Sequence, residues 1–123
     1  MQASAHLQVA QEFLAASESY SVSAAPLIRS EMLWCAAAHS VKAAANQYGW
    51  TNNSHDDLFR VVQRLARRLS EPRLTAEFQS ANGLHRNMYE GHLRAGRVIR
   101  SEATVRRFVS RMAVILRDHP QLP

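Results

Sequence analysis

The segment Leu84-His85-Arg86-Asn87-Met88-Tyr89-Glu90-Gly91-His92 is the densest collection of reactive groups in this sequence. Imidazole gains and loses protons near neutral pH. A guanidinium grips phosphate or carboxylate with a planar fork, and an aromatic ring stacks on an unpaired base. At helical spacing His85, Tyr89 and His92 stand at i, i+4 and i+7 and share a face. Leu84, Met88, Gly91 and Ala95 make the apolar face beside it. These polar groups therefore border the core, in a cleft or at a subunit interface. Their alternative use is a set of satisfied interfacial hydrogen bonds.

A second cluster groups His39 with Lys42 and Trp34. Here His39 reads as a core-edge histidine bonded to a neighbour and Lys42 as one exposed charge. Both are retained as ligand or interface candidates together with His85, Tyr89 and Glu90. Tyr48-Gly49-Trp50 reads as an aromatic plug over the end of a bundle rather than a binding platform. No metal site is expected. Zinc-binding histidine pairs on a helix stand three or four apart, whereas His85 and His92 are separated by about 10 Å of helix rise. A Gly-rich phosphate loop and a Gly-x-Ser-x-Gly elbow are both missing, and no cofactor is expected. The single Cys35 forms no disulfide within the chain and no cysteine-based zinc cluster. A lone thiol of this kind suits a reducing cytoplasm.

Helices must position these groups. Ala is abundant, in AAS, CAAAH and KAAAN, and is the best helix former; Gly and Pro number four each. The first helix is expected over about Ser4–Ser19, with Leu7, Ala10, Phe13, Leu14 and Ser17 recurring at helical steps. A serine-rich connector, 19–25, leads to Pro26, which suits a first helical turn. The second helix runs from about Ala25 to Tyr48, with Leu27, Ile28, Met32, Cys35, Ala38 and Ala45 inward and Gly49 closing it. Its alanines allow close approach of another helix. Ser54 and Asp57 form a capping box opening a third helix, His55–Leu69. Leu58, Val61, Val62, Leu65, Ala66 and Leu69 form its buried stripe, and Arg60, Arg64, Arg67 and Arg68 its outer side. A fourth helix runs from about Leu74 to Tyr89, with Gly83 marking a kink or a close contact with another chain. Ser101 is the expected cap of a fifth helix, to about Asp118, with Val105, Phe108, Val109, Met112, Ala113 and Leu116 inward. The predicted fold is all-α, an antiparallel bundle of about five helices in one domain: N-terminal helix and connector 1–24, core bundle 25–118, tail 119–123.

The 123 residues suit one domain. Their charge is lopsided. Residues 1–59 carry a net −3, whereas residues 60–123 set thirteen arginines against five acids for +8. A basic half of this kind meets nucleic acid or an acidic partner, or is a solvated set of helix faces. No apolar run approaches the ~20 residues that span a bilayer, so no membrane partner is expected. The start of the chain lacks the pattern of a secretory signal, and a cytoplasmic location follows.

The stretches AAAHSVKAAANQYGW, SHDDLF and AEFQSANGLHRNMYEG, in that order, resemble the HEPN superfamily of small helical-bundle proteins over roughly residues 27–116. The nearest branch carries a Leu-His-x-Asn-Phe/Met-Tyr-Glu signature, here Leu84 to Glu90. Many members carry Arg-x(4–6)-His with a polar residue after the Arg and cut RNA as dimers without metal. Arg86 to His92 is similar, with five residues between. The resemblance implies that His92 acts on the ribose 2′-OH or the leaving oxygen, that Arg86 holds the scissile phosphate, and that Asn87 orients one of them. On an unbroken helix Arg86 and His92 lie 120° apart, so Gly91 bends the chain or two subunits share the site. The implied function is a nucleotide- or RNA-associated protein, with a homodimer expected. One form is a metal-independent endoribonuclease of a toxin–antitoxin or defence pair, partnered by an antitoxin. Another is a non-catalytic module that binds a nucleotide or docks a nucleotidyltransferase, and a third is a purely structural dimer.

Overall fold

Local signals set several helix ends. Ser54 Oγ accepts the Asp57 N–H at 3.1 Å, while the Asp57 carboxylate reaches back to the Asn53 N–H instead of that of Ser54, so Ser54 caps α3, which spans His55–Leu69. Pro26 opens α2 (Pro26–Tyr48), and Gly49 closes it at φ +74°, a left-handed conformation that costs glycine nothing. The computed structural model describes residues 1–123. Its remaining helices are α1 (Ala3–Ser17), α4 (Arg73–Glu90) and α5 (Ala95–Asp118), and it has no strand. The fold is all-α, as the composition predicts. No helix is long and apolar enough to cross a membrane.

The central helix is α2, which packs against the other four. Pairings along its length give the directions. His6 meets His39 and Ser17 meets Arg29, so α1 runs antiparallel to α2. Ser30 meets Asn87 and Trp34 meets Phe78, so α4 does the same. Glu71–Arg111 and Glu77–Arg107 set α5 antiparallel to α4. The TNNS stretch is more than a local turn. Lys42 Nζ donates to the Asn52 carbonyl at 2.9 Å, drawing the link back along α2, and α3 begins where His55 stacks on Trp34.

Three expectations need correction. Leu27 and Ile28 do not line the core; they are about 40% exposed (38% and 42%). With helices on several sides, α2 has no single apolar stripe, and its inward surface is Leu33, Trp34, Val41 and the alanines 36–38 and 43–45. Ser101 caps nothing: α5 starts six residues earlier, at Ala95, and Ser101 is buried within it. Gly83 does not interrupt α4, which runs through it unbroken, and a Cβ there would meet no neighbour within 4 Å.

Buried polar groups are paired throughout. Nδ1 of His6 and Nδ1 of His39 are 2.9 Å apart, so one ring donates and the other accepts. Phe13 stacks on His39 at 5.7 Å. Burial holds both imidazoles below their ordinary value of 6.5; mutual repulsion and Lys42 add to this for His6, and Lys42 for His39. The consequence for stability has a definite sign. Above about pH 6.5 both rings are neutral whether the chain is folded or not. Below it the unfolded chain takes up protons that the folded pair refuses, so stability falls with pH. Urea midpoints should therefore drop between neutral pH and about pH 5, and His6→Gln should flatten that drop. An equal slope in wild type and variant would assign the acid sensitivity elsewhere.

Candidate functional site

Gly91 decides the geometry of the 84–92 segment. It sits at φ +60°, ψ +31°, and its N–H closes α4 on the Asn87 carbonyl at 2.8 Å. The helix stops there, so His92 leaves the face that the spacing had assigned to His85, Tyr89 and His92. The turn replaces that face with two separate groupings.

In the first grouping, Arg86 and His92 converge on one carboxylate. Arg86 Nη2 donates to Glu90 Oε2 at 3.3 Å, and His92 Nδ1 lies 3.5 Å from the same oxygen. All three side chains are substantially exposed, at 60%, 38% and 50% for Arg86, His92 and Glu90. The 120° separation of an ideal helix is thus removed within one chain. With Nδ1 turned to Glu90, the other ring nitrogen of His92 is left to exchange a proton. His92 also lies between two clefts. One, of about 510 Å³, is lined by Arg94, Arg97 and Arg100. The other, of about 300 Å³, lies between α4 and α5 and includes Gln79, Ser80, Gly83 and Arg97. Arg94, Arg97 and Arg100 are exposed and form no ion pair within the chain. Their three-residue spacing places them along one side at the start of α5.

Asn87 takes the buried position that the apolar pattern gave to Met88. It is fully buried; its amide nitrogen donates to Ser30 Oγ at 3.1 Å, and its oxygen accepts the Leu93 N–H at 2.8 Å. Its side chain hydrogen-bonds to neither Arg86 nor His92. It fixes the backbone on which His92 rides, tying the turn to α2.

In the second grouping, His85 Nδ1 is 3.0 Å from Glu31 Oε1, and its ring lies 5.0 Å from Trp34, 5.1 Å from His55 and 5.4 Å, edge-on, from Tyr89. Tyr89 is 77% exposed. Trp34 therefore belongs with His85, not with His39 and Lys42. The latter two stand apart, His39 on His6 and Lys42 on the Asn52 carbonyl. Cys35, one turn from Glu31, has its thiol pushed up to about 11 by burial and by that carboxylate, so it is a protonated, poor nucleophile at neutral pH. No three His, Cys, Asp or Glu side chains gather into a metal-ligating group.

Glu31 and Ser30 were not legible as members of this region, because they lie on α2 more than fifty residues from their partners. Arg94, Arg97 and Arg100 carried a signal in their spacing, just beyond a glycine that ends a helix.

The comparisons follow on this geometry. The model of the archaeal PaREP1/PaREP8 family matches residues 5–109. No curated protein and no solved structure matches the chain.

Proposed function

The chain belongs to the archaeal PaREP1/PaREP8 family, and from that premise we propose that it binds RNA across the α4–α5 turn and cleaves it there as a homodimer, without a metal. The observation that carries this reading is the meeting of Arg86 and His92 on Glu90, beside Arg94, Arg97 and Arg100, which have no acidic partner. An exposed Arg86–Glu90 pair is worth little in water, so Arg86 is free to exchange the carboxylate for a phosphate. The HEPN resemblance of the same residues supports the assignment.

The chemistry requires both a base and an acid. The ribose 2′-oxygen attacks phosphorus and loses its proton, while the P–O5′ bond breaks and O5′ gains one. The products are a 2′,3′-cyclic phosphate and a 5′-hydroxyl. Each turn supplies one imidazole free for this work, His92, since His85 is engaged by Glu31. Two copies supply the pair, one His92 as base and the other as acid, while Arg86 steadies the charge growing on the phosphate oxygens. Leu27, Ile28, Tyr89 and Ile99 are exposed apolar residues, and all lie where α2 starts, α4 ends and α5 starts. Together they offer the second copy an apolar seat.

Filter binding of single-stranded RNA at rising salt tests the partner. Three or four neutralised phosphates give a log–log slope of about −2 to −3, and sedimentation of the same sample should read two chains. Absence of binding at low salt removes RNA as the ligand. Binding without any cleavage leaves the non-catalytic module instead.

A further inference from the structure

A third cavity, of about 520 Å³, opens at the opposite end of α2, between the α2–α3 link and α3. Trp50, Thr51, Asp57, Arg60, Val61 and Arg64 line it. Its Gly49–Trp50 wall begins where α2 ends, and Tyr48 stands eighteen residues on from Ser30 beneath the α4–α5 turn, about 27 Å of helix rise. It shares no lining residue with the clefts beside His92, and the RNA reading makes no use of it.

We propose that this cavity binds a small phosphomonoester of mononucleotide size, gripped by Arg64 and Arg60. The guanidinium of Arg64 lies over the Trp50 ring, 4.4 Å from its centre. Stacking fixes the plane of the fork but uses none of its N–H groups. Arg64 forms no ion pair and donates no hydrogen bond within the chain, so its donors are oriented and unspent. Arg60 stands one turn earlier on the same side of α3. The carboxylate in the wall, Asp57, is already committed. Oδ1 accepts from Arg60 at 3.1 Å, Oδ2 accepts the Asn53 N–H at 2.9 Å, and its side chain is only 14% exposed. The cavity therefore presents a net positive charge to its contents.

Its walls are held before any ligand arrives. Trp50 N–H donates to the Ala45 carbonyl at 2.8 Å, Lys42 holds the Asn52 carbonyl, and Asn52 Nδ2 donates to the Trp50 carbonyl at 3.1 Å. The volume exceeds what a phosphate group fills and lies within the range of small-molecule sites. The remainder of the ligand then lies against Val61 and Trp50. Arg64 already occupies the face of Trp50 on which it lies, and the Tyr48 ring packs against the indole at 5.2 Å, tilted by 43°. The grip is on the phosphate, and the group attached to it is read by size.

Isothermal titration calorimetry with adenosine 5′-monophosphate, ribose 5-phosphate, inorganic phosphate and adenosine tests this on the full chain. The two phosphate esters should bind, inorganic phosphate more weakly, and adenosine not at all. Arg64→Gln should weaken the esters roughly tenfold to a hundredfold, and Arg64→Lys, which keeps the charge but loses the fork, should fall between. Arg64 is exposed, so helical circular dichroism and the urea midpoint of Arg64→Gln should match wild type. Arg64→Gln should also retain RNA cleavage, which separates failure here from failure at the α4–α5 turn. Equal binding of adenosine and its monophosphate, silence with both esters at millimolar concentration, or unchanged affinity in Arg64→Gln would each overturn the proposal.

Discussion

His92→Ala is expected to leave the bundle folded while RNA cleavage falls by about 10²–10⁴-fold, the usual worth of a positioned proton-transfer group. Arg86→Ala should lose cleavage comparably, because the phosphate then develops charge with no guanidinium beside it. Both side chains are exposed and form ion pairs only with Glu90, so neither replacement opens a cavity. Added EDTA should change nothing. His85→Ala serves as the comparison, since His85 is held by Glu31 and packed against Trp34. A gel showing His85 essential and His92 dispensable would move the function to the Leu-His-x-Asn signature. Unfolding of both the His92 and Arg86 variants, read by circular dichroism, would make the cluster structural. Asn87→Ala should behave differently again. It frees the half-buried Leu93 N–H and slackens the turn, so stability and cleavage decline together.

The largest change in stability is expected at Glu102. Arg29 donates to both of its oxygens, at 2.8 and 3.0 Å, and Arg106 to one, at 3.0 Å. Arg29 also donates to the carbonyls of Ser17 and Tyr20, and Arg106 to that of Leu14. One carboxylate on α5 thus organises two guanidinia that satisfy the free carbonyls where α1 ends. Burial raises the Glu102 carboxyl, but the hydrogen bonds from Arg29 and Arg106 outweigh it, and the group titrates below its ordinary range. Arg29 and Glu102 are 13% and 15% exposed. Glu102→Ala strands the buried Arg29 charge and should cost about 3 kcal/mol, seen as a lowered urea midpoint with an unchanged slope. Glu18→Ala removes only an exposed partner of Arg106 and should cost under about 0.5 kcal/mol. Equal losses in the two variants would mean that the network contributes nothing beyond its surface pairs.

Helix type and order were legible because composition and short-range spacing determine them. The N-cap at Ser54 and the glycine cap at Gly49 are local chemistry, and they appear where the sequence places them; Gly91 proves to be a cap as well, where the sequence offered only a bend. Two kinds of information were not local. The α2 stripe was right at Ala38 and Ala45 and wrong at Leu27 and Ile28, because a helix surrounded by neighbours has no single inward side and those two look as apolar outside as in. The site was half legible. Arg86, Glu90 and His92 lie within seven residues and needed only the bend at Gly91 to meet. Asn87 looked like a polar group available for chemistry, yet it is wholly committed to Ser30 and Leu93, and Ser30 lies fifty-seven positions away.

The alanines of α2 set a limit on how this protein can diverge. Ala36, Ala37, Ala43, Ala44 and Ala45 have no solvent exposure. Enlarging any of them presses the surrounding helices outward and costs about 1–3 kcal/mol. Reducing one to glycine loosens the helix by roughly 1 kcal/mol. Selection therefore restrains these positions from both directions, and a lineage can accumulate change at either end of the bundle while its axis keeps the same small vocabulary. Side chains at the α4–α5 turn and around Trp50 can change without altering the close helix approach that these alanines set.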